Sequence, residues 1–426
     1  MTALHNQHRT SVGFFFESTA GTTPADAAAW ATALAGASGF RIYVEELDPT
    51  FILGFSAVPN IDMEERVFAR KAPHKGLPTA DGGSMVTRIW GTGSTYSAGT
   101  QVTATGLGRL LTHALGGGAR GNDTAVDTGG VSSQTELTLV AVTNLAIGQI
   151  IGIEDADDPG RIWPAQIVDI SGSTITIDRE MPFTVADGDK IYGTEMAWPD
   201  QAALTNPEDA GATTLSMLIQ KGPVTWMTGG SHLGLTEIRV ERGQQPKFAF
   251  EILAARGYPP GAGAPSVPTY SDTVEGTADV QAIGRDTKCF LQVYGTTTHA
   301  VVSLFSATIT PGVPVLPQDT ITEELDGMPG RVGYRTEPTD SILELVVALD
   351  STWQTRWTNA AELACTYFQV GPVGNCWAVH APRCQMMGPP ELVLDGTNRY
   401  RIRLQPVDDA DATTEAGKAK IMIARY

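Results

Sequence analysis

The chain has 426 residues, room for two to four domains and for real cores without a disulfide or metal staple. Its 47 acidic residues against 29 basic ones give a net charge of −18, which argues against gripping nucleic acid in a basic groove or docking on an anionic membrane. With 42% hydrophobic and 18% charged residues, 46 glycines and 26 prolines, it reads as folded and rich in turns.

The stretch Met1 to His5 has no basic region leading into a long apolar one, so no signal peptide is expected. Phe14-Phe15-Phe16 is too short to span a bilayer, and no apolar run reaches the ~20 residues a membrane helix needs. Thr23-Pro24, the run Ala25 to Ala37 and then Gly39 predict a capped helix. Phe40, Ile42 and Val44 alternate with Arg41, Tyr43 and Glu45, which predicts a half-buried strand.

Between Glu64–Arg70 and Met85–Gly91, two further expected strands, lies a loop at residues 73–83 that carries Pro73, His74, Lys75, Gly76, Leu77 and Pro78. A tight hairpin needs two to five residues, so this loop is either a partner-contacting arm or a long turn. Leu107, Leu110, Leu111 and Leu115 share one helical face ahead of Gly116-Gly117-Gly118.

From about Gln134 to Ala197 several short strands follow one another: Leu137–Val142, Ile150–Ile153, Gln166–Ile170 and Thr174–Ile177, with turns at Ser171-Gly172-Ser173 and Asp187-Gly188-Asp189. That spacing predicts a small barrel or sandwich inserted at 134–197. Between Glu136 and Glu195 stand 11 acidic and 3 basic residues, a net −8.

Phe248, Phe250 and Ile252 alternate with Lys247, Ala249 and Glu251 in another strand. Tyr258 to Pro265 is a Pro/Gly linker, taken as 258–269. A third helix is expected from about Ser351 to Ala364, with Asp350 as cap. Tyr400, Ile402 and Leu404 alternate with Arg399, Arg401 and Arg403, and Lys420 to Ile423 forms a last strand. The fold class is mainly β with a few helices.

The two sides of the linker repeat an order of elements. Each has a long hairpin (Glu64 to Trp90; Ile321 to Val347), then a helix, then a closing hairpin (Ile238 to Ile252; Leu392 to Leu404). Met217 to Gly229 aligns with Cys376 to Gly388 without gaps, placing Pro382 on Pro223, Met386 on Met227 and Gly388 on Gly229. The domains expected are 1–133 with 198–257, the insertion 134–197, and 270–426.

Chemical motifs read mostly as structure. Val126-Asp127-Thr128-Gly129 matches an aspartic-protease tripeptide, but that chemistry needs a second such carboxylate, so a turn is expected. Cys376, His380 and Cys384, with Cys365 nearby, lack the short Cys-x-x-Cys knuckle of a zinc site and read as packed thiols. The acidic run Glu154 to Gly160 lacks the twelve-residue frame of a calcium loop. His299 and His74 have no partners nearby in sequence, and the usual nucleophile, phosphate and metalloprotease motifs are missing. No cofactor, no metal and no catalysis are expected.

Three segments together resemble the major tail tube proteins of long-tailed (siphovirus-like) bacteriophages. They are the strand–long loop–strand unit Glu64–Arg70 and Met85–Gly91, the inserted β domain with Gly148–Ile153 and Ile170–Ile175, and the closing hairpin through Pro246–Glu251. The resemblance implies two tandem tube-type β-sandwich domains with flanking helices, a small inserted all-β domain outside, and strands that join neighbours into an inner barrel. It implies trimeric rings of pseudo-sixfold symmetry, stacked through the 73–83 loop into a virion tail assembled in the host cytoplasm. The implied partners are further copies of the chain, other tail proteins and double-stranded DNA in transit without specific binding, with no membrane. The early helix at 25–37 has no counterpart in that family. Other readings are a capsid-decorating or baseplate β protein, and a β-rich hydrolase or glycan-binding module.

Overall fold

The computed structural model describes residues 10–17, 27–35, 39–47, 57–58, 74–75, 83–89, 91–200, 214–221, 224–241, 244, 246–258, 287–325, 328–336, 339–370, 374–394, 398–408, 414 and 418–426. The protein is mainly β, as its alternating patterns require.

Strand β1 (Thr10–Phe16) pairs on both sides, with β2 (Gly39–Val44) and with the later β15 (Leu215–Lys221). Helix α1 (Ala27–Ala35) connects β1 to β2 and buries Trp30. Phe14 stacks on Phe40 at 5.1 Å between ring centroids, which uses the inward half of the predicted alternation. The short β3 (Glu46–Leu47) pairs with β6 (Gly83–Arg88). Between them, β4 (Ala57–Val58) pairs with β5 (His74–Lys75).

Helix α2 (Gly106–Leu115) starts on Thr105, whose hydroxyl accepts from the Gly108 amide at 3.0 Å, and ends on Gly116 at φ 90°. Its leucines are buried in the main core, which also contains Phe40, Phe248 and Phe250. Strand β7 (Gly116–Arg120) leads into a closed six-stranded barrel. The barrel strands are β8 (Thr124–Val131), β9 (Glu136–Leu139), β10 (Ile150–Glu154), β11 (Ile162–Ser171), β12 (Thr174–Ile177) and β13 (Lys190–Tyr192). Its interior holds Leu137, Ile151, Ile153, Ile167, Ile175 and Ile191. The barrel starts upstream of the expected residue 134, because β8 closes it. The Asp127-Thr128-Gly129 turn falls within β8 as a bulge between Val126 and Val131, with Gly129 at φ 71°.

After the barrel come β14 (Glu195–Pro199), β15, the long β16 (Val224–Glu241) and β17 (Lys247–Tyr258). The second half supplies β18 (Thr287–Val293), β19 (His299–Val302), β20 (Leu304–Thr310), the paired β21 (Val315–Leu325) and β22 (Met328–Thr336), and β23 (Ile342–Ala348). Then follow α3 (Thr352–Thr358), β24 (Leu363–Gln369), β25 (Trp377–Met386), β26 (Glu391–Leu394), β27 (Asn398–Pro406) and β28 (Met422–Arg425).

One antiparallel strand order occurs twice. The first half runs β2–β1–β15–β16–β17–β6–β3. The second runs β19–β18–β24–β25–β27–β23–β20. Chain order matches too, with a two-stranded hairpin before β6 and before β23, and a helix before β15 and before β24. The repeat therefore lies in topology, and the gapless sequence alignment misplaces it. Met217 to Gly229 spans β15 and the start of β16, whereas Cys376 to Gly388 spans the single strand β25. Pro382 sits inside β25 at a bulge, where a residue without an amide proton is tolerated.

The third helix is shorter than expected. It stops at Asn359, Ala360 takes φ 48°, and Leu363 and Ala364 belong to β24. All of β24 is buried, and a continuous apolar run has no period by which to tell a strand from a helix. Asp350 does serve this helix: its carboxylate accepts from the Thr352 amide at 3.0 Å and hydroxyl at 2.8 Å, which hold its pKa below the usual carboxylate range. Asp350→Ala is expected to cost about 1 kcal/mol, read as a lower urea midpoint at unchanged m-value.

Candidate assembly surface

His380 and the four cysteines, the cluster weighed as a zinc site, are packed in the interior. His380 is buried, with Nδ1 2.8 Å from the Thr366 hydroxyl and Nε2 3.1 Å from Gln166 Oε1, and burial pulls its pKa down to about 4. Burial pushes the Cys384 thiol well up, and the Cys365 neighbour together with burial does the same to Cys289. All four cysteines are buried and none is in a disulfide, and among the described residues no three His, Cys, Asp or Glu gather as a metal site.

The acidic run closes on itself. Glu154 accepts from the Gly160 amide at 2.7 Å and pairs with Lys190 at 2.8 Å, while Asp158 pairs with Arg161 at 3.0 Å. His299 lies against Phe290 with 4.2 Å between ring centroids. Among the described residues, no helix is long and apolar enough to cross a membrane.

The barrel is seated on the second half. Trp163 stacks on Phe290 at 5.9 Å and packs on Phe368. Gln166 reaches His380, and Gln292 donates to the Asp178 carbonyl at 2.9 Å. The halves also share strands, since β14 pairs with β7 on one side and β28 on the other. Arg425 ties this seam: its guanidinium donates to the Thr105 hydroxyl at 2.7 Å and the Gly91 carbonyl at 2.9 Å, and faces Glu195 at 3.4 Å.

The loop singled out in the sequence is partly visible. His74 and Lys75 are strand residues paired with Lys75↔Ala57 and His74↔Val58, not loop residues. Pro73, Gly76, Leu77 and Pro78 lie outside the described residues, as does the Glu64–Arg70 strand.

A surface that the sequence reading missed lies at the ends of one continuous sheet. Its order is β3–β6–β17–β16–β20–β23–β27–β26, antiparallel throughout. The two halves meet in its middle, where Ile238 to Glu241 of β16 pair with Ser306 to Ile309 of β20. Tyr334 of β22 adds to this junction by donating its hydroxyl to the Gly230 carbonyl. At the ends, among the described residues, β3 pairs with β6 alone and β26 with β27 alone. Leu392 and Leu394 on β26 are 53% and 75% exposed. The unbroken Leu392-Val393-Leu394 run beside a turn was the available sequence signal, since apolar residues on a strand edge invite another strand.

The face of this sheet turned away from the core is a lattice of ion pairs. Lys247 meets Glu45 at 2.9 Å, Arg88 also pairs with Glu45, Arg401 meets Glu344 at 3.2 Å and Arg403 meets it at 3.0 Å. No family model and no curated protein matches this sequence.

Proposed function

We propose that this chain is a structural virion protein, the tail tube subunit of a long-tailed bacteriophage, which self-assembles into stacked rings and encloses the path of DNA during ejection. Its two repeats are tube-type β-sandwich domains, three chains make a ring of six such positions, and the barrel decorates the outside. The tube is part of the virion tail, assembled in the host cytoplasm, and its partners are further copies of itself and other tail proteins. It performs no catalysis and needs no cofactor.

The observation that carries this reading is the β16–β20 junction. Here one repeat joins the next strand to strand, so the chain already contains one step of a repeating assembly. The ion-paired sheet face supports a conduit that does not hold DNA, because its cations are engaged by carboxylates before any phosphate arrives. A closed barrel has no open edge and suits an exterior appendage that must not polymerise.

The test is electron microscopy of the purified chain across protein concentration and salt. Rings and tubes with six similar lobes per ring are expected. Monodisperse single chains under every condition would overturn the reading.

A further inference from the structure

We propose that copies of this chain join head to tail by antiparallel pairing of two edges that are unpaired among the described residues, that of β26 (Glu391–Leu394) and that of β3 (Glu46–Leu47) on the next copy. The proposal rests on the self-assembly reading above and specifies its joint.

The internal junction supplies the template. In the repeated strand order β3 occupies the place of β20, and β25 with β26 occupies the place of β16. The far end of β16 pairs with β20 as Ile238↔Ile309, Arg239↔Thr308, Val240↔Ala307 and Glu241↔Ser306. The equivalent end of the second repeat is β26, and within one chain it has no strand beyond it among the described residues.

Burial records the difference. Ile238 and Val240 point to the core side of β16 and are 0% and 6% exposed under the neighbouring strand. Leu392 and Leu394 also take the core-side position, because Leu392 pairs with Tyr400, which packs against the core. Yet they are among the most exposed large apolar side chains of the described residues. Two exposed leucines on a strand edge are a liability unless another strand covers them. A second copy fits because its β3 stands in the place of the strand that covers Ile238 and Val240. The joint links two different patches, so it is head to tail and closes into a ring when the rotation per repeat allows.

Side-chain alternation predicts which positions meet. Glu46 is opposite Val86, on the face away from the core, since its neighbour Leu47 is opposite the buried Met85. Glu391 and Val393 are opposite Arg401 and Arg399, on that same face. Glu46→Cys should therefore form a disulfide between copies with Glu391→Cys or Val393→Cys, and not with Leu392→Cys. The four native cysteines are buried, so the introduced pairs dominate the gel pattern.

The experiment oxidises each double variant of the full chain and reads a non-reducing gel, with Arg239→Cys/Thr308→Cys as the intrachain control. In parallel, wild type and Leu392→Lys/Leu394→Lys are compared by mass photometry and microscopy. Expected are a ladder of covalent dimers and higher forms from a Glu46 pair. Expected also is a loss of assembly of at least tenfold in the lysine variant, with an unchanged circular dichroism spectrum. If wild type assembles but no Glu46 pair cross-links and the lysine variant assembles normally, the edge assignment is overturned while the ring reading stands. If wild type never assembles, both fall.

Discussion

Arg425→Met is expected to lower the unfolding free energy by about 3–5 kcal/mol, the usual cost of leaving one member of a buried ion pair alone. Arg425 and Glu195 are almost entirely removed from water, with side chains 2% and 6% exposed. Methionine replaces much of the arginine volume but none of its donors. Glu195 keeps its hydrogen bonds from the Thr105 amide at 2.9 Å and hydroxyl at 2.7 Å, yet loses the positive charge facing it. The Gly91 carbonyl loses its donor at the same time. The effect reaches beyond one contact because Thr105 caps α2, Glu195 opens β14 and Arg425 closes β28. Urea unfolding reads the loss as a shifted midpoint. Arg425→Met combined with Glu195→Gln should be less destabilised than Arg425→Met alone, because the buried charge is gone. A double variant as unstable as the sum of the singles would show that packing, not charge, governs the site.

Acidification from pH 7 to pH 5 is expected to cost several kcal/mol before most carboxylates titrate. His232 and His380 are buried, and burial holds both pKa values near 4, while His113 is pushed well below its ordinary value by burial and by His232. An unfolded histidine titrates near 6.5. The unfolded chain therefore takes up protons first, so this stability is complete above about pH 6.5 and falls as pH drops toward 4. Each histidine with a folded pKa near 4 loses roughly 2 kcal/mol by pH 5. The His113 and His232 rings lie 4.3 Å apart, so protonating one also hinders the other. Urea midpoints measured between pH 7.5 and 4.5 should fall steeply, and His380→Gln should flatten part of that slope. A midpoint constant over this range would contradict the buried neutral state.

Much of the local structure is legible because it rests on short-range periodicity. The alternation at Phe40, Ile42 and Val44, the leucine face of α2 and the short strands of the barrel each announce themselves within a few residues. Where the signal has no period, reading fails. The helix expected to reach Ala364 ends at Thr358, because Leu363 and Ala364 open the wholly buried β24, and the turn expected at Val126–Gly129 is a bulge inside β8. The duplication was legible as an order of elements, but its residue alignment was not. Strand equivalence is defined by pairing partners, and β16 is a single strand where the second repeat uses β25 and β26.

Composition by itself determined that the net charge is −18, and patterning that the fold is mainly β with three helical signals and a compact insertion. About −8 of that charge lies between Glu136 and Glu195, much of it on the barrel. Only the tertiary structure decided what the remaining charges do: on the continuous sheet they pair across strands, as Glu344 does with Arg401 and Arg403. Only it decided, too, that the barrel sits on the second half through Trp163, and that Leu392 and Leu394, on an edge with no further strand among the described residues, are exposed while Ile238 and Val240 are covered. The physical reason is that hydrophobic periodicity reports which face of a strand is buried, whereas neighbours in a sheet are chosen by backbone hydrogen bonds between segments distant in the chain.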